Sequence, residues 1–237
     1  MTSKSFDSMI DFKAGQLLLV NKPLDWTSFD VINKIKYALK PAYGKIKVGH
    51  AGTLDPKATG LLLVCTGNFT KKVNELQSLD KVYSGQFFLG ATTECYDTER
   101  PVNATFPTAH ITPEEIQKVA ESFIGEQEQM PPVHSAIKID GKVAYNLARK
   151  GKEVTLQPRK VNIYSFEITA IKMPLIHFKV KCSKGTYIRS LAHDFGKRLD
   201  SGAYLYSLKR ESIGPFKVDD AMELDELISF IRTQSAS

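Results

Sequence analysis

Residues 49–60 read Gly-His-Ala-Gly-Thr-Leu-Asp-Pro-Lys-Ala-Thr-Gly, so that one carboxylate, Asp55, stands among glycines and a proline directly before the apolar run Leu61-Leu62-Leu63-Val64-Cys65. Glycine admits positive φ and close backbone approach, proline fixes its own φ, and the apolar run predicts a buried strand that anchors the segment. An acid presented this way can serve as a nucleophile or a base. It can equally be a turn residue bonding its own backbone, and the local residues leave both readings open.

A second segment has the same character. Lys181-Cys182-Ser183-Lys184-Gly185-Thr186-Tyr187-Ile188-Arg189-Ser190-Leu191 predicts a strand, a glycine-containing turn and a helix with Arg189 in its first turns. Arg189 is then either a solvated helix charge or a fixed cation that holds a carboxylate ionised. Tyrosines accompany basic residues at Lys81/Tyr83, at Lys184/Tyr187 and at Tyr204 and Tyr206 before Lys209-Arg210. Such rings suit the stacking of unpaired bases, and they suit half-buried strands as well.

Several familiar chemistries are excluded. The glycine pair Gly44 and Gly49 is followed by His50, so the lysine of a phosphate-binding P-loop is missing. Asp55-Pro56-Lys57 lacks the context of an aspartyl-phosphate enzyme, and no G-x-S-x-G, H-E-x-x-H or G-x-G-x-x-G stretch occurs. His110, His134, His177 and His193 show no partner spacing and read as structural or surface residues. Cys65, Cys95 and Cys182 are too few and scattered for a disulfide framework or a zinc site, which points to a reducing compartment without a structural metal.

The elements that position these residues follow from periodicity. A strand is predicted over 16–20, a helix capped by Thr27-Ser28 that ends near Lys40-Pro41, short strands over 45–48 and 61–66, and an alternating strand over 81–91. Thr112-Pro113-Glu114-Glu115 is a capping-box helix start with the apolar stripe Ile116, Val119 and Phe123, stopped by Gly125. Ser135 to Ile139 alternates before a hairpin-like Asp140-Gly141, with a short helix over 144–150. Strands over 161–171 and 176–182, a helix from Arg189 to Leu199 and a last helix over 224–231 complete the reading.

The chain has 237 residues, 42% of them apolar, enough to bury a core, and no apolar stretch approaches the roughly 20 residues of a membrane span. Lys and Arg total 32 against 26 Asp and Glu, a net charge of +6 that favours a polyanionic partner. The N-terminus has no apolar stretch of signal-peptide type, so a soluble, cytoplasmic protein is expected.

Five motifs in order carry a resemblance. They are Leu18-Leu19-Val20-Asn21-Lys22-Pro23 with Thr27-Ser28; the 49–60 segment; Lys81-Val82-Tyr83; Pro131-Pro132-x-x-Ser135-Ala136-Ile137-Lys138; and Cys182-Ser183-Lys184-Gly185-Thr186-Tyr187-Ile188-Arg189. Together, over about residues 16–215, they closely resemble the TruB family of tRNA pseudouridine synthases.

The resemblance implies an α/β (α+β) pseudouridine synthase fold with a mixed, largely antiparallel sheet flanked by helices. It implies isomerisation of the T-loop uridine of tRNA, conventionally position 55, without a cofactor or a metal. Asp55 matches the catalytic aspartate, with Arg189 and Tyr83 as further catalytic residues. His50, Tyr187, Leu208, Lys22 and Lys71 match substrate-binding positions. Arg189 would keep Asp55 charged, the tyrosines would hold the flipped base, and the glycines would make room for a nucleotide backbone. The expected organisation is a tail over 1–15, a catalytic domain over 16–232 with a T-loop-clasping insertion at 131–151, a tail over 233–237 and no PUA domain. The partner is tRNA, bound by a monomer with no protein partner and no membrane. An RNA-folding chaperone that binds the T loop without chemistry is the alternative. The family pattern has glycine where this chain has Asp25, which leaves the turn after Lys22-Pro23 open.

Overall fold

The computed structural model describes residues 10–132, 138–139, 142–143 and 157–236. In chain order the elements are β1 (Leu17–Lys22), α1 (Ser28–Tyr43), β2 (Val48–Ala51) and β3 (Ala58–Thr66), then a 3-10 turn (Gly67–Lys72), α2 (Val73–Ser78), β4 (Lys81–Leu89), β5 (Ala91–Thr93) and β6 (Val102–Thr105). There follow α3 (Pro113–Glu121), β7 (Gly125–Gln129), β8 (Lys138–Ile139), β9 (Lys142–Val143), β10 (Arg159–Lys172) and β11 (Leu175–Cys182). The chain continues through α4 (Ile188–Arg198), β12 (Ala203–Ile213), β13 (Phe216–Lys217), β14 (Met222–Glu223) and α5 (Leu224–Ala236).

The chain forms two compact units, residues up to 79 with those from 210 onward, and residues 80–209. In the first, β1 pairs antiparallel with β3, β3 pairs antiparallel with β2, and β14 adds in parallel to β1. One face of these strands is covered by α1 and α5. The cap predicted at Thr27-Ser28 takes the form of a capping box on Thr27: its hydroxyl accepts from the Asp30 N–H at 3.0 Å, and Asp30 accepts from the Thr27 N–H at 2.9 Å. Val31, Ile32, Ile35 and Leu39 then line one side of α1 and pack with Leu224, Leu227, Ile228 and Ile231 of α5. A fully buried side chain of this kind contributes about 1.5–3 kcal/mol.

Three local expectations need correction here, and one open turn is resolved. The first helix runs through Pro41 to Tyr43, because a proline in the last turn removes only one intrahelical bond and Gly44 closes the helix with its N–H on Lys40 O. The strand expected at 45–48 lies at Val48–Ala51, so His50 is a strand residue facing Val64. Residues 10–15 are tied down instead of loose: Phe12 is completely buried, its carbonyl accepts from Thr66 Oγ1 at 2.8 Å, and Ile10 O accepts from Tyr43 Oη. Asp25 adopts φ 64°, the left-handed conformation that glycine takes without strain, and its N–H donates to Pro56 O at 2.9 Å. The open turn therefore keeps a glycine-like backbone with an aspartate in it.

In the second unit β4, β11, β10 and β7 pair antiparallel in that order. Facing residues Phe87, Phe166 and Phe178 form an aromatic core with Phe123 and Phe195 from the helical side, ring centroids 4.2 to 6.5 Å apart. The Thr112 capping box forms as predicted, and Gly125 at φ 102° leads out of the helical region into β7. Lys138–Ile139 and Lys142–Val143 pair antiparallel, as the Asp140-Gly141 signal requires. The helix expected at 144–150 and most of the 131–151 insertion lie outside the described residues. Among the described residues no helix is long and apolar enough to cross a membrane.

Candidate active site

Asp55 sits on the short connection between β2 and β3, and the first unit locks that connection from three directions. Ser28, buried at the start of α1, accepts from Leu54 N–H at 2.9 Å and donates to Leu54 O at 3.1 Å. Lys22, the last residue of β1, is fully buried. Its Nζ donates to Pro23 O at 2.9 Å, Trp26 O at 2.6 Å and Pro56 O at 3.4 Å. Arg210, 1% exposed, donates through Nε to Leu61 O at 2.8 Å, through Nη1 to Thr53 O at 3.4 Å and through Nη2 to Gly52 O at 3.0 Å. Two buried cations thus hold backbone carbonyls on both sides of one carboxylate. The effect is a backbone fixed on both sides of Asp55 by charge-assisted hydrogen bonds.

Two of the loop glycines, Gly52 and Gly60, pack against Arg210. At Gly60, with φ 100°, a Cβ would stand 2.4 Å from Arg210 O and 2.7 Å from Arg210 N. At Gly52, with φ 95°, it would stand 3.4 Å from Arg210 Nη1. Gly60→Ala is therefore expected to destabilise the protein by about 2–4 kcal/mol, from backbone overlap added to left-handed strain. Gly44→Ala, at φ 64° with nothing within 4 Å, should cost only the strain, about 1 kcal/mol. Urea unfolding of the two variants checks the difference; equal losses would remove the clash at Arg210 from the account.

Burial pulls the Lys22 ammonium down to about 8, with Arg210 adding to the shift and the Asp55 charge opposing it. The folded value lies below the ordinary 10.5, so between about pH 8 and 10.5 the unfolded chain binds a proton that the folded chain lacks. The penalty for burying the charge is in force below pH 8 and is relieved as pH rises through that window. The stability difference between wild type and Lys22→Met should accordingly move in favour of wild type by up to about 1.4 kcal/mol per pH unit there. A difference independent of pH from 7 to 10 would refute the low value. His50 is also lowered, by burial first and then by Arg210, and its buried Nδ1 has no hydrogen-bond partner among the described residues. It is a neutral imidazole on the strand that leads into the Asp55 loop. Lys71 lies in the exposed 3-10 turn after β3.

In the second unit Tyr187 is the N-cap of α4. The buried Gln129 side chain grips its backbone, accepting from Tyr187 N–H at 2.7 Å and donating to Tyr187 O at 3.0 Å, while the Arg159 guanidinium lies 4.8 Å from the centre of its ring. Arg189, two residues on, is 6% exposed, which rules out the solvated helix charge. Its Nη1 lies 3.5 Å from Asp97 Oδ2 and 3.4 Å from the Cys95 carbonyl. Tyr83 is buried on β4 opposite Val180, and Leu208 is a half-buried residue of β12.

The remaining aromatics and histidines are mainly structural. Tyr204 is buried and stacked on Phe88 at 5.1 Å, whereas Tyr206 is exposed. His177 contacts Gln86, His110 contacts Leu199 O, and His193 stacks on Tyr96; His134 lies outside the described residues.

Arg210, Asp97, Cys95 and Gln129 were not anticipated from sequence. Arg210 had no usable signal, because the run Lys209-Arg210-Glu211 reads as solvated. Asp97 and Gln129 have no local signal, because their partners are 92 and 58 residues away.

The family model described as TruB family pseudouridylate synthase (N terminal domain) matches residues 40–188. The tRNA pseudouridine synthase B of Flavobacterium johnsoniae is 52% identical over 217 residues, covering 90% of this chain and 95% of the relative. That of Parabacteroides distasonis is 49% identical over 224 residues, covering 94% and 95%. Among solved structures, a chain of a Cbf5-Nop10-Gar1 complex superposes with a TM-score of 0.71 at 28% identity, over 94% of this chain and 60% of that one. A chain of an H/ACA RNP bound to a substrate RNA containing 2′-deoxyuridine gives 0.67 at 27% identity, over 92% and 54%. This chain therefore spans nearly the whole length of the curated relatives and little more than half of the structural ones. With a family model over most of its length and a relative 52% identical to it, the chain belongs to the TruB family of pseudouridylate synthases.

Proposed function

We propose that the protein is a tRNA pseudouridine synthase that isomerises the T-loop uridine, position 55 in conventional tRNA numbering. The observation that carries this reading is the Asp55 loop, its carbonyls gripped by buried Lys22 and Arg210, in a chain of this family. The reaction breaks the N1–C1′ bond of uridine, turns the base and joins C5 to C1′. The C5 proton leaves and N1 gains one, with no net oxidation and no hydrolysis, so no cofactor is needed.

Asp55 acts on the ribose, either by attack at C1′ or by supporting a glycal formed by loss of the C2′ proton. The uridine leaves its stack at a cost of a few kcal/mol, and a ring such as Tyr83 beneath the base returns about 1–3 kcal/mol. Tyr187, Leu208 and His50 contact the flipped nucleotide, Arg189 is the fixed cation of the site, and Lys71 meets the phosphate backbone. The 131–151 insertion clasps the T loop. The protein works as a cytoplasmic monomer on tRNA, with no protein partner and no membrane.

Tritium release tests the reaction directly. A tRNA transcript labelled at C5 of uridine should lose one equivalent of tritium to water on incubation with the protein, since C5–H is replaced by C5–C1′. Retention of all the label would refute the proposal.

A further inference from the structure

Asp97 is pinned by a set of donors that determines which of its oxygens meets Arg189. Its Oδ1 accepts from the Cys95 thiol at 2.9 Å and from Glu99 N–H at 2.9 Å, and its carbonyl accepts from Thr93 Oγ1 at 2.7 Å. Oδ2 is then the oxygen presented to Arg189, at 3.5 Å. Cys95 touches both members of the pair, because its own carbonyl accepts from Arg189 Nη1 at 3.4 Å. All three residues are buried, with Cys95 2%, Asp97 3% and Arg189 6% exposed. A carboxylate with so little water around it depends on the donors it is given, and losing one leaves an acceptor unmet.

We infer that Cys95 is a positioning residue: its thiol, by donating to Asp97 Oδ1, fixes the rotation of the carboxylate and through it the guanidinium of Arg189. The inference deepens the proposed function and rests on it for its catalytic consequence. The thiol must remain protonated for this role. Burial and the adjacent Asp97 carboxylate both push its ionisation upward, since a thiolate there would face a second negative charge. Cys95 thus acts as a weak acid held neutral, not as a nucleophile.

The test compares Cys95→Ala, which deletes the donor, with Cys95→Ser, which retains an O–H. The alanine variant should fold, bind tRNA with unchanged KM and lose about tenfold in kcat, the effect of removing one hydrogen bond to a buried charge. Serine should recover most of kcat. Wild-type kcat in Cys95→Ala, or a serine variant no better than alanine, would overturn the inference.

Infrared spectroscopy separates this from failure of the functional reading. The Cys95 S–H stretching band, isolated as wild type minus Cys95→Ser, should be red-shifted as for a strong donor and should move back in Asp97→Asn. A band at the position of a free thiol would overturn the positioning role even if pseudouridine is formed. A red-shifted band in a protein that forms no pseudouridine would leave the hydrogen bond in place and place the failure in the proposed reaction.

Discussion

Replacing Asp55 by Asn is expected to abolish pseudouridine formation, by roughly 10⁴-fold or more, the scale of loss seen when a reacting group is removed from an otherwise intact site. The substitution keeps the side chain's size and removes only its charge and nucleophilicity. The loop is held by its neighbours' backbone, through Leu54 to Ser28, Pro56 to Lys22, and Gly52 and Thr53 to Arg210, so the fold should survive. Affinity for tRNA should survive as well, because the proposed tRNA contacts are basic and aromatic residues elsewhere. Gel-shift and tritium-release assays on the same preparation check both halves. Wild-type turnover in Asp55→Asn would remove Asp55 from the chemistry. Loss of binding together with turnover would assign it to recognition.

The second large effect belongs to Arg210, which sequence reasoning passed over. Its guanidinium supplies three carbonyls with hydrogen bonds, at least one of them in the solvent-free interior at Leu61. Arg210→Met keeps an unbranched apolar stem and offers no donor. The expected loss is about 3–5 kcal/mol, because unmet buried acceptors cost about 1–3 kcal/mol each. That is a large share of the 5–15 kcal/mol available to a whole domain. Arg210→Lys should fall in between, since one ammonium on a flexible stem cannot replace a planar fork aimed at three oxygens. Thermal unfolding measures the series, and a methionine variant within 1 kcal/mol of wild type would show that the clamp carries no weight. A tritium assay at low temperature, where the variant remains folded, should still show reduced turnover as the Asp55 loop loosens.

The features legible in the sequence were those with local causes. The cap at Thr27 and the capping box at Thr112 are written in neighbouring residues, and the alternation of Ile176, Phe178, Val180 and Cys182 states which face of β11 is buried. Asp55 stood out because glycine and proline mark an unusual backbone. The cause of those glycines was not legible, for it lies 150 residues away in the backbone of Arg210 at Gly60. Burial of a charged residue is likewise invisible locally: Lys22, Arg189 and Arg210 look like surface cations until their partners are known. Strand β12 was missed for the same reason, since Lys209-Arg210-Glu211 breaks the apolar pattern expected of a core strand. Asp25 shows the converse, a residue outside the family pattern that takes the glycine-like conformation the turn demands.

The central claim is isomerisation of one uridine, and site-resolved mass spectrometry tests it most directly. An unmodified tRNA transcript incubated with the purified protein should contain a single new pseudouridine at position 55 of the T loop. A T loop that remains unmodified, or pseudouridine found only at other positions, would contradict the account.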